Sequence, residues 1–261
     1  MKLDLYQVDA FASRPFEGNP AAVCPLNEWL EDTLLQAIAT ENNLSETAFF
    51  VREGQQVQLR WFTPSVEVDL CGHATLAAAW VIFNRLGERA DTLYFATRSG
   101  ELVVKREGDQ LAMDFPAKQL EPLAMKAEIA DALGVQAIEE VLISDDIVVV
   151  IDDAQLIETL TPDMQKLKLL PGRGVAVTAK GHDVDIVSRW FGPKVGVEED
   201  PVTGSAHTSL APYWANRLGK PLLTARQGGA RKGELTCEVK GERVVLKGSV
   251  APYLQGEIVL P

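Results

Sequence analysis

Cysteine is scarce in this 261-residue chain, and most of the signatures that would reveal its chemistry at once are missing. Three cysteines, Cys24, Cys71 and Cys237, are too few and too scattered for a disulfide framework, and no CxxC pair exists. Three histidines, His73, His182 and His207, match no zinc spacing, so no metal is expected. GxGxxG and GxxxxGK(S/T) are both absent, which deprives nucleotide cofactors of their usual cradle, and there is no GxSxG elbow. No apolar run approaches the roughly 20 residues needed to span a bilayer. The start, Met1-Lys2-Leu3-Asp4, is not a signal peptide, and a cytoplasmic location is expected. The net charge is −12, without any Lys/Arg cluster, which argues against nucleic acid and anionic membranes as partners. A small anionic substrate stays open, because the local field in a cleft can oppose the global charge. What these absences leave is acid/base chemistry by side chains alone.

The chain also contains itself twice. Trp61-Phe62-Thr63-Pro64-Ser65-Val66-Glu67-Val68 returns 129 positions later as Trp190-Phe191-Gly192-Pro193-Lys194-Val195-Gly196-Val197, with five of eight positions identical. Gly72-His73-Ala74 answers to Gly204-Ser205-Ala206, and Leu86-Gly87 to Leu218-Gly219, both 132 positions later. Three extra residues therefore sit within Glu198-Glu199-Asp200-Pro201-Val202-Thr203. Two copies of one fold facing each other would create a cleft at the repeated motif. The halves are read as residues 1–117 and 118–249, with the strand near 250–261 free to pack back onto the first.

Within each half, short strands surround one helix. Leu3 to Phe11 alternates apolar and polar residues, as a half-buried strand does, and Thr47–Val51 and Val57–Phe62 read as two more. Trp29, Leu30, Thr33, Leu34, Ala37 and Ile38 share a helical face. Ala74 to Leu86 is almost wholly apolar, and a helix apolar on nearly all sides must be enclosed by protein. Its counterpart runs from Ser205 to Leu218, where Pro212 should bend or interrupt it. Hairpins follow each helix, turning at Glu107-Gly108-Asp109 and at Gly241. The expected class is α+β: two pseudo-symmetric halves, each a curved sheet or β-barrel wrapped around a central helix.

Chemistry is sought at the starts of those two helices. The first N–H groups of a helix have no helical partner, and the helix dipole adds partial positive charge there. Two such ends converging on a cleft would suit a carboxylate or an enolate-like oxygen. His73 stands at one end and Ser205, its repeat equivalent, at the other, with Asp200 just before the second and Cys71 just before the first. Glu46 enters the apolar strand that follows Ser45, where partial desolvation would suit it to carry protons near neutral pH. Taken singly, each has an ordinary account: a satisfied helix-start histidine, an Asp-Pro turn residue, a serine N-cap, a small buried thiol, a solvated loop glutamate. Taken together, the repeat puts His73, Asp200 and Ser205 in equivalent regions of two halves.

At these residues the chain resembles the PhzF-type phenazine-biosynthesis isomerases, which share the diaminopimelate epimerase fold. The matching segments are Val8-Asp9-Ala10-Phe11, Phe16-Glu17-Gly18-Asn19-Pro20-Ala21, Ser45-Glu46-Thr47-Ala48-Phe49, Phe62-Thr63-Pro64, Cys71-Gly72-His73-Ala74-Thr75 and Glu199-Asp200-Pro201-Val202-Thr203-Gly204-Ser205-Ala206. They run in order through both halves. The resemblance implies two pseudo-symmetric barrels, a homodimer, no cofactor and a small carboxylate-bearing substrate. It implies that Glu46 is the main acid/base, that His73, Asp200 and Ser205 assist and orient, and that Asn19, Gly72 and Gly204 bind substrate. The second half is trimmed before Gly174, so substrate identity does not transfer. Cys71 lies where diaminopimelate epimerases carry one catalytic cysteine, and Asp200 takes roughly the place of the other. An epimerase or racemase using Cys71 is therefore an alternative, as is a non-catalytic protein-interaction module on the same fold.

Overall fold

A computed structural model of the protein describes residues 1–54 and 56–260. The chain divides into two compact units, Met1–Asp114 with Lys247–Pro261, and Phe115–Leu246. Their limits fall at 114/115 and 246/247, rather than at the 117/118 and 249/250 read from the sequence.

The first unit contains β1 (Lys2–Ala10), β2 (Asn19–Leu26), α1 (Asp32–Asn42), β3 (Glu46–Glu53), β4 (Gln56–Phe62), β5 (Glu67–Val68), α2 (Gly72–Asn84), β6 (Thr92–Thr97), β7 (Gly100–Glu107) and β8 (Gln110–Pro116). The second contains β9 (Glu121–Pro122), α3 (Lys126–Leu133), β10 (Glu140–Ile143), β11 (Ile147–Val150), α4 (Ala154–Thr159), α5 (Met164–Leu169), β12 (Val175–Lys180), β13 (Ile186–Gly192), β14 (Val197–Asp200), α6 (Gly204–Leu218), β15 (Leu222–Gln227), β16 (Gly233–Lys240) and β17 (Arg243–Gly248). The last strand, β18 (Val250–Val259), pairs antiparallel with β1. Pro261, the end of the segment assigned to that strand from sequence, lies outside the described residues.

The duplication reappears in the strand pairing. In the first unit β1 and β2 are antiparallel, β2 and β3 parallel, and β3 and β4 antiparallel; β4 takes β5 antiparallel and β6 parallel, and β6 then pairs with β7. In the second unit β10, β11, β12, β13, β14, β15 and β16 repeat that pattern step for step. Each unit is thus a curved mixed sheet around one helix, an α+β arrangement. Ten of the 13 residues of α2 are buried, and it packs against β1, β2, β3 and β18. Full burial of Leu76, Ile82 and Phe83 stabilises the unit by about 1.5–3 kcal/mol each. In the second unit Ile129, Leu133, Ile147, Val149, Ile157, Val177 and Phe191 form one core.

Two details differ from the sequence reading. The apolar face of α1 is Leu35, Ile38 and Ala39; Trp29 and Leu30 precede the helix and pack against its core as partly buried residues. Further along, α6 runs unbroken through Pro212. A proline there removes the N–H that would bond the carbonyl of Thr208. The backbone N–H of Lys118 donates to that carbonyl instead, at 2.9 Å. The orphaned acceptor has a substitute donor, so the helix continues. Among the described residues no helix is long and apolar enough to cross a membrane.

Pro212→Ala is therefore expected to raise unfolding stability by clearly less than the about 3 kcal/mol that an unrelieved mid-helix proline costs. Urea unfolding checks this, and a gain of the full size would show that the Lys118 bond does not compensate.

Candidate functional site

In the first unit the parallel pair β2–β3 brings the starts of both strands to one sheet end, with Ala21 opposite Glu46. Asn19, the first residue of β2, is fully buried, and Glu46 is the first residue of β3. The loop before Asn19 is held tightly. The Phe16 N–H donates to the buried Asp9 carboxylate at 2.9 Å, and the N–H of Ala12 donates to Ser249 at 3.1 Å. Gly18 adopts φ +64°, and a Cβ there would stand 2.1 Å from the carbonyl oxygen of Ala10. Only glycine fits, which explains Gly18 directly before Asn19.

The N-terminus of α2 completes this cluster. Cys71 is its N-cap in extended conformation, followed by Gly72 and His73. The Cys71 carbonyl accepts from the Thr75 hydroxyl at 2.6 Å and from the Thr75 N–H at 3.1 Å, which fixes the first turn. His73 is the centre. Its Nδ1 lies 3.3 Å from Asn19 Nδ2 and 3.5 Å from Cys71 Sγ. Its Nε2 lies 3.2 Å from Glu46 Oε2. That last pair is at hydrogen-bond distance but off the hydrogen-bond direction, so the contact is electrostatic rather than a formed bond.

Burial drives the His73 pKa down to about 3. The ring is therefore neutral at pH 7, with one N–H and one bare nitrogen. An amide NH₂ group donates, so Nδ1 accepts from Asn19 and the proton belongs on Nε2, facing the Glu46 carboxylate. Asn19, Glu46, Gly72 and His73, singled out by sequence, thus lie in one unit with Cys71 among them.

The second unit holds Asp200, Gly204 and Ser205. Asp200 ends β14, Thr203 is the N-cap of α6, Gly204 opens the helix and Ser205 follows. Ser205 is accordingly not the N-cap that its spacing allowed. The Thr203 hydroxyl donates to Asp200 Oδ2 at 2.6 Å. Buried Gln227 ties this together: its Oε1 accepts from the Thr203 N–H at 2.9 Å, and its Nε2 donates to the Asp200 carbonyl at 2.8 Å and to Thr203 Oγ1 at 3.0 Å.

Sequence reasoning missed Arg173. Its Nη2 donates to Ser205 Oγ at 2.8 Å, and its Nε and Nη2 grip the buried Asp146 carboxylate at 3.0 and 2.7 Å. The guanidinium also lies over Trp190, 5.2 Å from the ring centroid. Burial works against its charge, but Asp146, with Asp145 and Asp200, outweighs it and holds the pKa above its ordinary value. Because Ser205 Oγ accepts from Arg173, the serine's own O–H is left to donate elsewhere. His207, one turn into α6, donates from Nδ1 to the Thr203 carbonyl at 3.0 Å, and burial lowers its pKa to about 4.

A model of the family described as phenazine biosynthesis-like protein matches residues 8–260. The chain belongs to this family. A Pseudomonas aeruginosa protein named as an uncharacterized isomerase is 64% identical over 260 residues, covering all of both chains. The crystal structure of a PhzF-family phenazine biosynthesis protein from Enterococcus faecalis is 48% identical and superposes with a TM-score of 0.97 over the whole of both chains. A hydroxyproline epimerase from Agrobacterium vitis shares the fold alone, with a TM-score of 0.63 at 11% identity over 98% of this chain and 91% of its own.

The two neutral histidines make stability depend on pH. Below pH 6.5 the unfolded chain protonates both rings, whereas the folded chain resists to about pH 4 at His207 and about pH 3 at His73. Stability is expected to fall on acidification across that window, by up to about 1.4 kcal/mol per pH unit for each ring. Urea unfolding at pH 7 and pH 5 tests this: His207→Gln should lose less than wild type between them, and an equal loss would refute the assignment.

Proposed function

We propose that the protein is a cofactor-independent isomerase that moves a proton within a small, carboxylate-bearing substrate, with Glu46 as its main acid/base. The observation that carries this reading is the 3.2 Å approach of Glu46 Oε2 to Nε2 of a neutral, buried His73. An imidazole whose pKa lies near 3 does not take a proton from a carboxylic acid at neutral pH. A proton removed from substrate carbon therefore stays on Glu46. In the first step the C–H bond breaks, an O–H bond forms on Glu46, and the electron pair passes into the substrate's π system toward its electron-withdrawing group. In the second, Glu46 returns the proton at another carbon. His73 orients the carboxylate and, held by Asn19, keeps its N–H on the side facing it. Gly72 and Gly204 each offer a helix-start N–H group for substrate binding. Asp200 and Ser205 assist, and the same reading carries a homodimer in solution.

The relatives' naming as isomerases supports the reaction class. Glu46→Gln is expected to lower turnover by roughly 10²–10⁴-fold with the unfolding midpoint unchanged. The assay incubates wild type and variant in D₂O with a panel of small carboxylates and follows deuterium incorporation by mass spectrometry. Exchange that persists in the variant would sink the assignment.

One contact favours a second reading. Cys71 Sγ lies 3.5 Å from His73 Nδ1, as a thiol base would in an epimerisation. Cys71→Ser separates the two: the Glu46 reading expects near-normal exchange, whereas a thiol-based epimerase would lose it.

A further inference from the structure

Glu46, Cys71 and His73 bring a carboxylate, a thiol and an imidazole together, with one donor atom of each within 4.8 Å of the others. We propose that these three residues form a binding site for a thiophilic divalent cation of the Zn(II) type, whose occupation withdraws Glu46 from proton transfer. The inhibitory consequence rests on the acid/base reading of Glu46; the binding itself does not.

The distances fit such an ion. Zn–S bonds of about 2.3 Å and Zn–N or Zn–O bonds of about 2.0–2.1 Å at tetrahedral angles place neighbouring donors roughly 3.3–3.6 Å apart. Sγ to Nδ1 is 3.5 Å, and Nε2 to Oε2 is 3.2 Å. Whichever ring nitrogen takes the ion, one edge of the tetrahedron is near its final length. The third donor closes by rotation of its own side chain.

The donor set selects the metal. Sulfur and imidazole suit Zn(II) and its neighbours, whereas Mg(II) and Ca(II) require oxygen ligands in larger number. A thiolate, a carboxylate and a divalent cation sum to zero charge, which suits a site where Cys71 and His73 are buried. The thiolate would form at the N-terminus of the 13-residue α2, where the helix dipole favours negative charge.

The test uses the full chain stripped with chelator and titrated with Co(II), then with Zn(II) by calorimetry. One Co(II) per chain with a thiolate-to-cobalt charge-transfer band is expected, displaced by Zn(II) and unaffected by Mg(II). Cys71→Ala should abolish the band, and His73→Asn should weaken binding at least tenfold. His182→Ala removes an exposed histidine and should change nothing. No band, or binding that survives Cys71→Ala or disappears in His182→Ala, would overturn the site. Should Cys71→Ala fail to fold, Cys71→Ser answers the same question. Zn(II) should also suppress the Glu46-dependent deuterium exchange, with chelator restoring it. Cobalt binding without any exchange activity would sink the isomerase reading and leave the metal site standing. Exchange without cobalt binding would do the reverse.

Discussion

Helix α2 has almost no face that tolerates water, and the first unit is arranged around that fact. A helix of alanine, leucine, valine, isoleucine and phenylalanine has to be covered along its length, and β1, β2, β3 and β18 provide the cover. Enclosing the helix also encloses its N-terminus, where a surface helix would leave its first turn in solvent. Cys71, Gly72 and His73 are carried inside with it, to the end of the sheet where β2 and β3 begin. The burial that stabilises the unit is thus the same burial that keeps His73 neutral. Packing and chemistry share one cause here.

That coupling decides what His73 can do. A solvent-exposed histidine near a glutamate would exchange protons with it around neutral pH. With its pKa near 3, His73 stays neutral at pH 7 and keeps a single N–H. Asn19 matters for the same reason: its amide fills Nδ1 and so determines which nitrogen faces Glu46. The second unit uses its equivalent helix differently. There the polar groups are held by charge and by hydrogen bonds, with Asp146 fixing Arg173, Arg173 fixing Ser205, and Gln227 fixing Thr203 beside Asp200. The repeat conserved the helix start and its fold but gave the two starts different means of placing their side chains.

Much of this was legible in the sequence. The all-apolar run after Gly72, the paired Trp-Phe segments and the three-residue insertion before Gly204 all describe local pattern, and local pattern survives folding. Strands β1 and β4 could be read because burial alternates along part or all of their length. The segment around β11 could not, since Ile147 to Val150 is buried on both faces and shows no period. Arg173 was invisible for a related reason. Its partners are 27 residues before it and 32 after, and no spacing rule connects them. The limit at Pro212 was of another kind: the proline was read correctly as the loss of a donor, but the donor that replaces it comes from Lys118, far outside the helix.

The same logic separates what the fold determines from what it leaves to the loops. The enclosed helix start dictates a neutral imidazole beside a carboxylate whatever the substrate is, because both follow from the core. Side chains that the core does not fix are a different case, among them the partly exposed Arg173 and the serine to which it donates. The distinction also explains why a thiol beside that imidazole is compatible with two chemistries. Cys71 caps the helix through its backbone carbonyl, and its sulfur lies 3.5 Å from His73 Nδ1, close enough to the ring to join in proton transfer or to help hold an ion.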